Sequence, residues 1–386
     1  GVSVMLAQAI VEGGVTAALD GDITGSAAVT VEASGRNLAD ADTRVAGFGA
    51  FGGAGSGTVA QVTANADVQA LVGSASAATT SGAYRVIATS DNDALAESDA
   101  GSGGIAAITG SALSARVAGA TRAQVLGDVN GASSVTVQAT GNNNAFADAL
   151  AISIGLFAGA AVNPTAEITS AMAVEALIGS GAEFTSVGAV SLDAVSTNTA
   201  TAQSKGESAS IVGITVMDVE ATIRGATRAA ILSGADLTAD TVSIDAAATT
   251  TPTAIVSSTG ISLVGGGFGS AEATDSHVVE ALGGGKITAQ GTAGTIALDA
   301  SLTSNVYADG NMFGLALGGS GSFTKAIANA TPTVRANFSS GAIAEAMGDI
   351  TAHAKADVDA VALGRGSNFA LGIGFSGAQV TATSDP

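Results

Sequence analysis

The sequence contains no cysteine and no tryptophan, and only two tyrosines and two histidines occur among its 386 residues. The absence of cysteine excludes disulfides and thiolate metal sites, so backbone hydrogen bonds and burial must stabilise the fold. Aromatic residues make up 3% of the chain. Such a composition offers little to enclose a drug-sized ligand, and the small Ala, Val and Gly residues that replace them suit closely packed backbone layers.

Basic residues are also scarce: 13 Lys and Arg stand against 33 Asp and Glu, for a formal net charge of −20. Nucleic acids and anionic membranes attract clusters of Lys and Arg, so this balance argues against both partners. Gly, Ser, Asn and Asp interrupt every apolar run before it reaches transmembrane length, and we expect no membrane insertion. Because 47% of residues are hydrophobic and 12% are charged, the chain is predicted to be ordered.

A five-residue phrase, apolar-x-apolar-x-Ala, recurs seven times at nearly equal intervals. The copies are residues 29–33, 84–88, 135–139, 190–194, 242–246, 296–300 and 350–354. Self-similarity at a fixed period of about 53 residues indicates a repeat architecture, which stacks into one body. We therefore expect residues 1–386 to form a single continuous repeat domain. Because the chain begins and ends inside a repeat, we expect a segment of a longer repetitive protein or one assembled end to end.

Each repeat alternates apolar and polar residues with a period of two, and its short phrases end in Gly or Ser. This pattern is typical of β-strands, and no window has helical spacing. The sequence predicts an all-β parallel β-solenoid of about seven repeats, with tandem antiparallel β-sandwich modules as the alternative. One wide rung or two to three short coils per repeat both fit the period.

Downstream of the phrase, two positions have a recurring residue type. Four residues beyond the closing alanine lie Asn37, Asn92, Asn143 and Asn198, then Thr250, Ser304 and Val358. Stacked Asn side chains hydrogen-bond along a stack, so we predict an asparagine ladder at a polar corner. Eight residues beyond, every repeat has Ala, including Ala147 and Ala202. That position is predicted to lie inside, with room for one methyl group.

Catalytic and cofactor motifs are weak. Residues 47–52 and 372–377 match GxGxxG, but both lie in the glycine-rich third of a β-repeat instead of a βαβ unit. His277 and His353 fall in different repeats, and His353 takes an outward strand position. We expect no catalytic residues and no cofactor. A β-helix enzyme acting on carbohydrate is a distant alternative, because such enzymes line a groove with aromatic and basic residues.

Calcium is the ligand that the sequence supports best. The position before the closing alanine holds Asp193, Asp245 and Asp299 in three successive repeats. In a stack of single rungs these carboxylates lie about 5 Å apart and repel by about 1 kcal/mol or more. We predict a weak calcium site along this strip, with water completing the shell.

The phrase order resembles the repeat region of very large bacterial surface adhesins of the filamentous-haemagglutinin and leukotoxin-like kind. The matching residues are Ala176 to Gly179, Val190 to Ala194 and Asn198 to Ala202. The resemblance implies extracellular or cell-surface display, a fibrous shape and no catalysis. The expected function is a structural shaft that mediates surface attachment or cell–cell contact, with host or partner cells as partners. A self-assembling filament or sheath subunit is the alternative, with end-to-end copies as partners.

Overall fold

The computed structural model of the chain describes residues 1–385, and within that range it contains β-strands but no helix. The strands are β1 (Val2–Val11), β2 (Val15–Leu19), β3 (Ile23–Ser26), β4 (Val29–Phe48), β5 (Phe51–Val62), β6 (Val68–Val72), β7 (Ala77–Thr80), β8 (Ala83–Val117), β9 (Thr121–Val125), β10 (Asp128–Asn130), β11 (Ser134–Ile168), β12 (Ala173–Ile178), β13 (Glu183–Ile223), β14 (Ala226–Ile231), β15 (Asp236–Asp275), β16 (Val278–Gly283), β17 (Lys286–Ala289), β18 (Ile296–Ala330), β19 (Thr333–Phe338), β20 (Ile343–Ala346), β21 (Ile350–Ala370) and β22 (Ile373–Ser384).

Every strand pairing within residues 1–385 is parallel. The strands form a 15-stranded sheet and a 7-stranded sheet that run side by side along the molecule. The parallel β-solenoid predicted from the sequence is therefore confirmed. The alternative of antiparallel sandwich modules is wrong, because each phrase pairs with its own copy in the neighbouring repeats.

One repeat forms one coil. Val135 pairs with Tyr84 in the preceding repeat and with Val190 in the following one. The same register holds for the other phrases, so the open question of one rung or several is settled in favour of one. We number the coils 1 to 7 by their phrases, which begin at Val29, Tyr84, Val135, Val190, Val242, Ile296 and Ile350.

In coils 2 to 6 one long strand folds back on itself, and in coils 1 and 7 two successive strands, β4 with β5 and β21 with β22, follow the same path. In coil 2, Ser102 Oγ and Thr109 Oγ1 lie 2.7 Å apart, and Ser111 Oγ donates a hydrogen bond to Ser98 Oγ at 2.9 Å. Because these side chains meet across the fold, β8 runs outward and then returns at a glycine-rich turn near residue 104. After the returning half come a short strand in the 7-stranded sheet and a short segment that leads to the next coil.

The core is built from small side chains stacked in columns. Ala147 and Ala202 are fully buried, as are most residues of that alanine column. One cluster of buried residues extends from Val29 to Ala330, so the coils share a continuous core. With interior density near that of an organic crystal, a column of methyl groups leaves no room for a larger residue.

Two combinations of facing side chains alternate from one coil to the next across the interior of the solenoid. Ser196 Oγ and Thr227 Oγ1 lie 2.6 Å apart, whereas Gly141 in the preceding coil leaves room for Val174. A β-carbon on Gly141 would lie 2.6 Å from a Val174 methyl group. The same two combinations recur two coils earlier, as Ser90 with Thr121 and Gly35 with Val68. This alternation accounts for Thr121 and Thr227, which occupy the same place in the identical segments 119–123 and 225–229.

Candidate functional site

The asparagine column forms a hydrogen-bonded ladder inside the stack. Asn37 Nδ2 donates to Asn92 Oδ1 at 2.8 Å, Asn92 to Asn143 at 2.9 Å, and Asn143 to Asn198 at 2.9 Å. All four side chains are buried. A buried amide without a partner is costly, and each Asn here supplies the partner for the next.

The ladder does not lie at a corner, and this part of the sequence prediction is wrong. Asn143 sits within β11, which continues unbroken on both sides of it, and its side chain points inward. Inward-pointing positions of this strand are otherwise apolar or small. Asn143 can occupy one of them because the ladder satisfies the hydrogen-bonding groups of its amide.

Beyond Asn198, a buried aspartate accepts hydrogen bonds from the residues that continue the asparagine column. Thr250 and Ser304 continue the column in coils 5 and 6, and both hydroxyls donate to Asp275 Oδ2 at 2.5 Å. Asp275 is fully buried at a position that Ile223 and Ile168 occupy in the two preceding coils. Burial raises the pKa of Asp275, and the hydrogen bonds from Ser304, Thr250 and a backbone N–H oppose that rise.

His277 lies beside this carboxylate and is also fully buried. Its backbone N–H donates to Asp275 Oδ1 at 3.0 Å, and its Nε2 lies 2.8 Å from Thr227 Oγ1. Burial lowers the pKa of His277 to about 4, so the ring is neutral at pH 7. The other histidine, His353, is exposed and lies next to Asp299 of the preceding coil, so the two histidines do not share a site.

A ladder of alternating charges crosses the outer face of the 7-stranded sheet. Arg122 Nη1 lies 2.7 Å from Asp67 Oδ2, and Arg122 Nε lies 3.0 Å from Glu175 Oε2. Arg228 joins Glu175 at 3.5 Å to Glu280 at 2.7 Å. Arg335 follows, with Nη1 3.4 Å from Glu280 Oε1. Our sequence reading missed this ladder, although acid and base alternate there at intervals of one repeat.

The three aspartates predicted to bind calcium do fall in one column. Asp193 pairs with Asp245, and Asp245 pairs with Asp299. Asp193 Oδ2 accepts a hydrogen bond from Ser191 at 2.7 Å, and Asp245 Oδ2 accepts one from Ser243 at 2.5 Å. Burial raises the pKa of Asp245, as do the neighbouring aspartates, while Ser243 opposes the rise.

Within residues 1–385, no group of three or more His, Cys, Asp or Glu side chains is placed to hold a metal ion. The calcium site therefore remains a prediction from the sequence. A second acidic column, which we did not anticipate, contains Asp42, Glu97 and Asp148. Burial raises the pKa of Glu97, and the carboxylates of Asp42 and Asp148 raise it further.

The folded-back ends of the long strands reverse the usual arrangement of side chains. Their interior contains hydroxyl groups: Thr43 and Thr58 meet at 2.7 Å, and Ser56 donates to Ser111 at 2.9 Å. Large apolar side chains point outward, and Phe51 is 75% exposed. Every coil has at least two such residues at this end. We call the set the apolar edge; it comprises Phe48, Phe51, Ile105, Ile108, Ile154, Leu156, Phe157, Ile211, Val212, Ile214, Val216, Ile261, Leu263, Val264, Phe268, Phe313, Leu317, Phe323, Phe369, Leu371, Ile373 and Phe375.

Both GxGxxG matches lie at this edge, where the chain reverses between β4 and β5 and between β21 and β22. In coil 1 the two halves approach so closely that a β-carbon on Gly47 would collide with the carbonyl oxygen of Gly53. Gly47 is therefore required by the turn, which supports the structural interpretation of the motif.

No family model matches the chain, and no curated protein or solved structure matches it either. No helix within residues 1–385 is long and apolar enough to cross a membrane.

Proposed function

We propose that the chain is a non-catalytic structural shaft of an extracellular bacterial adhesin or fibre, which mediates surface attachment or cell–cell contact. The observation that carries the proposal is the continuity of side-chain bonding along the axis. The asparagine ladder joins coils 1 to 4, and the charged ladder continues from Asp67 to Arg335. Bonds at separate positions around each coil resist bending in more than one direction.

The use of ionisable groups supports a structural role. Asp275 and His277 are buried and hydrogen-bond within the wall of the solenoid. Arg122, Arg228 and Glu280 hold neighbouring coils together. A catalytic site needs such groups to converge on a space that admits substrate. Here they form hydrogen bonds and ion pairs with residues of the same or the neighbouring coil.

Extracellular display is supported by composition and by resemblance. The chain has no cysteine to be oxidised, and its phrases resemble those of large bacterial surface adhesins. Its stability relies on hydrogen bonds and packing, which need no reducing environment.

The test is a deletion that preserves register. Asn143 and Thr250 occupy the same column, so removing residues 143–249 joins Asn142 to Thr250 and removes two coils. In the source cell, antibody against the chain should label intact cells, and the shortened protein should still support attachment, with a smaller distance between attached surfaces. Loss of attachment despite normal surface labelling would show that the deleted coils bind a partner directly. Absence of surface labelling in the parent would contradict extracellular display.

A further inference from the structure

The outer surface of the returning half-strands carries three parallel rows of small and apolar residues. The first row contains Phe51, Ala106, Phe157, Val212, Val264, Gly319 and Ile373. The second row lies two residues further along each strand and contains Gly53 in coil 1, and the third contains Gly55. Before coil 1, β1 adds the exposed Val2 to the second row and Val4 to the third. We call these three rows the returning face. None of their residues is ionisable, although the chain has a formal net charge of −20.

Large and small residues are interspersed along these rows. In the second row Gly53 is followed by Ile108, Gly159 and Ile214, then by Gly266 and Gly321. In the third row the small residues come first and the large ones follow. Phe268 and Phe323 stack there with ring centroids 5.7 Å apart. The face thus has both projections and gaps.

Two of the gaps, at Gly110 and Gly159, are not required by packing within the chain. A β-carbon on Gly110 would have no heavy atom within 4 Å, and one on Gly159 would lie 3.9 Å from its nearest neighbour. A groove of about 500 Å³ lies over the small residues of the third row, lined by Gly55, Gly110 and Ala161 among others. The fold itself would tolerate side chains at these positions.

We propose that the returning face binds the same face of a second copy, antiparallel, with the two-fold axis between coils 3 and 4. Under this symmetry coil 2 of one copy faces coil 5 of the other, and coil 1 faces coil 6. In the third row Phe268 then lies over Gly110, and Phe323 lies over Gly55. Both aromatic side chains enter the groove described above.

The other two rows seat most of their projections in gaps under the same symmetry, and the exception is Phe157, which lies opposite Val212. In the second row Ile214 lies opposite Gly159, and Ile108 lies opposite Gly266. In the first row Phe51 lies opposite Gly319. A parallel pairing about an axis along the solenoid would instead place Ile108 on Ile108 and Ile214 on Ile214. The antiparallel arrangement therefore seats projections in gaps, which dense interface packing requires.

Charge and area favour a second copy as the occupant. The three rows themselves contain no carboxylate, and the acidic columns stay in solvent. One exposed carboxylate, Asp218, lines the edge of the groove. Six coils by three rows measure about 30 Å by about 20 Å, or roughly 600 Å². Specific interfaces begin at about 600 Å² per partner. The contact is lateral, and it goes beyond the shaft role proposed above.

The first test is sedimentation of the purified chain at tens of micromolar. The parent should sediment at twice 36.5 kDa. Gly110→Val should sediment as a monomer with an unchanged thermal midpoint, because its new side chain occupies the groove. Gly110→Val with Phe268→Ala should restore the dimer. Gly101→Val, at a glycine with equally open surroundings on the other wall, is the matched control and should leave the dimer intact.

The second test fixes the orientation. Facing sheets lie about 10 Å apart, so a bismaleimide of that span can bridge cysteines placed on them. A mixture of Gly110→Cys and Phe268→Cys chains should give cross-linked dimers, and either variant alone should not. A monomeric parent, a dimer that survives Gly110→Val, or cross-linking of Gly110→Cys alone would each overturn the proposal. A monomeric parent would leave the shaft role untouched, because that role needs no lateral contact.

Discussion

Asp275 accepts a 2.5 Å hydrogen bond from Thr250, a residue on the opposite wall of the same coil. The bond joins two positions that lie 25 residues apart in the chain. This bond connects two columns. One contains Asn198 and Thr250, and the other contains Asp275 and, in the preceding coils, Ile or Val. A charged residue thus replaces an aliphatic one where the asparagine ladder has lost its amides.

Asp275→Asn should stabilise the protein at pH 7. Because burial raises the pKa of Asp275, its carboxylate form is disfavoured in the folded state, and acidification through that pKa relieves the cost. The amide keeps the shape without the charge. Urea midpoints at several pH values should show a gain at pH 7 that shrinks toward pH 4. A lower midpoint at pH 7 would mean that the three hydrogen bonds outweigh the burial of charge.

His277 makes the protein sensitive to acid. Its folded pKa of about 4 lies below the ordinary value of 6.5, so the unfolded chain takes up a proton first as the pH falls. Stability is full above pH 6.5 and should fall by roughly 3 kcal/mol as the pH approaches 4.

His277→Met isolates that effect, because the buried Met172 occupies the corresponding place two coils earlier. The difference in unfolding free energy between parent and variant should change by roughly 3 kcal/mol between pH 7 and pH 4. A difference that stays constant with pH would show that the ring titrates normally.

Asn143→Ala should destabilise the protein by about 2 to 4 kcal/mol, because two buried amide groups lose a partner. Asn92 Nδ2 loses its acceptor in Asn143, and Asn198 Oδ1 loses its donor. Asn142→Ala changes an exposed side chain on the same strand and should alter stability by less than about 0.5 kcal/mol. Equal effects of the two changes, measured by urea unfolding, would contradict a structural role for the ladder.

Arg228→Met should cost about 1 to 2 kcal/mol at low salt and less at high salt. Its guanidinium joins Glu175 and Glu280, whose side chains are only 15% and 10% exposed. Ion pairs that are partly shielded from water contribute more than exposed pairs, which contribute at most about 1 kcal/mol. Arg44→Met removes such an exposed pair, with Asp99, and serves as the comparison. A salt-independent loss for Arg228→Met would point to lost packing of its stem instead of lost charge.

The repeat of the Val-x-Val-x-Ala phrase was sufficient to predict a parallel β-solenoid, but it left open whether one repeat forms one rung or several coils. Comparing repeats identifies residues that neighbour each other along the axis, which is why the column of Asn92 and Asn143 could be recognised. The column of Arg122 and Glu175 was also open to that comparison, since acid and base alternate at the repeat interval.

Contacts across a coil could not be predicted in this way. The bond between Thr250 and Asp275 joins two different positions of one repeat, and the repeat pattern does not say which positions face each other. The same limit applies to the apolar edge. Alternation with a period of two assigns Ser111 and Ile108 to opposite faces of a strand, but it does not tell which face is inside.

The last prediction concerns the column of Asp193, Asp245 and Asp299. Burial and the two neighbouring carboxylates raise the pKa of Asp245, so its charge costs stability above that pKa and the cost is lost on acidification. Asp245→Asn should therefore raise the thermal midpoint at pH 7 in the presence of a chelator. The gain should disappear toward pH 3, where the parent carboxylate is also protonated.

The same pair of proteins tests the calcium prediction. If an ion shares the charge of the three carboxylates, millimolar calcium raises the midpoint of the parent, because an ion bound only to the folded state stabilises it. Asp245→Asn removes the central ligand and should abolish that rise. An unchanged parent midpoint would exclude the ion, since the Ser191 and Ser243 hydroxyls would then be sufficient to hold the carboxylates. An equal rise in both proteins would place the ion at other carboxylates, and the column of Asp42, Glu97 and Asp148 would be the next to test.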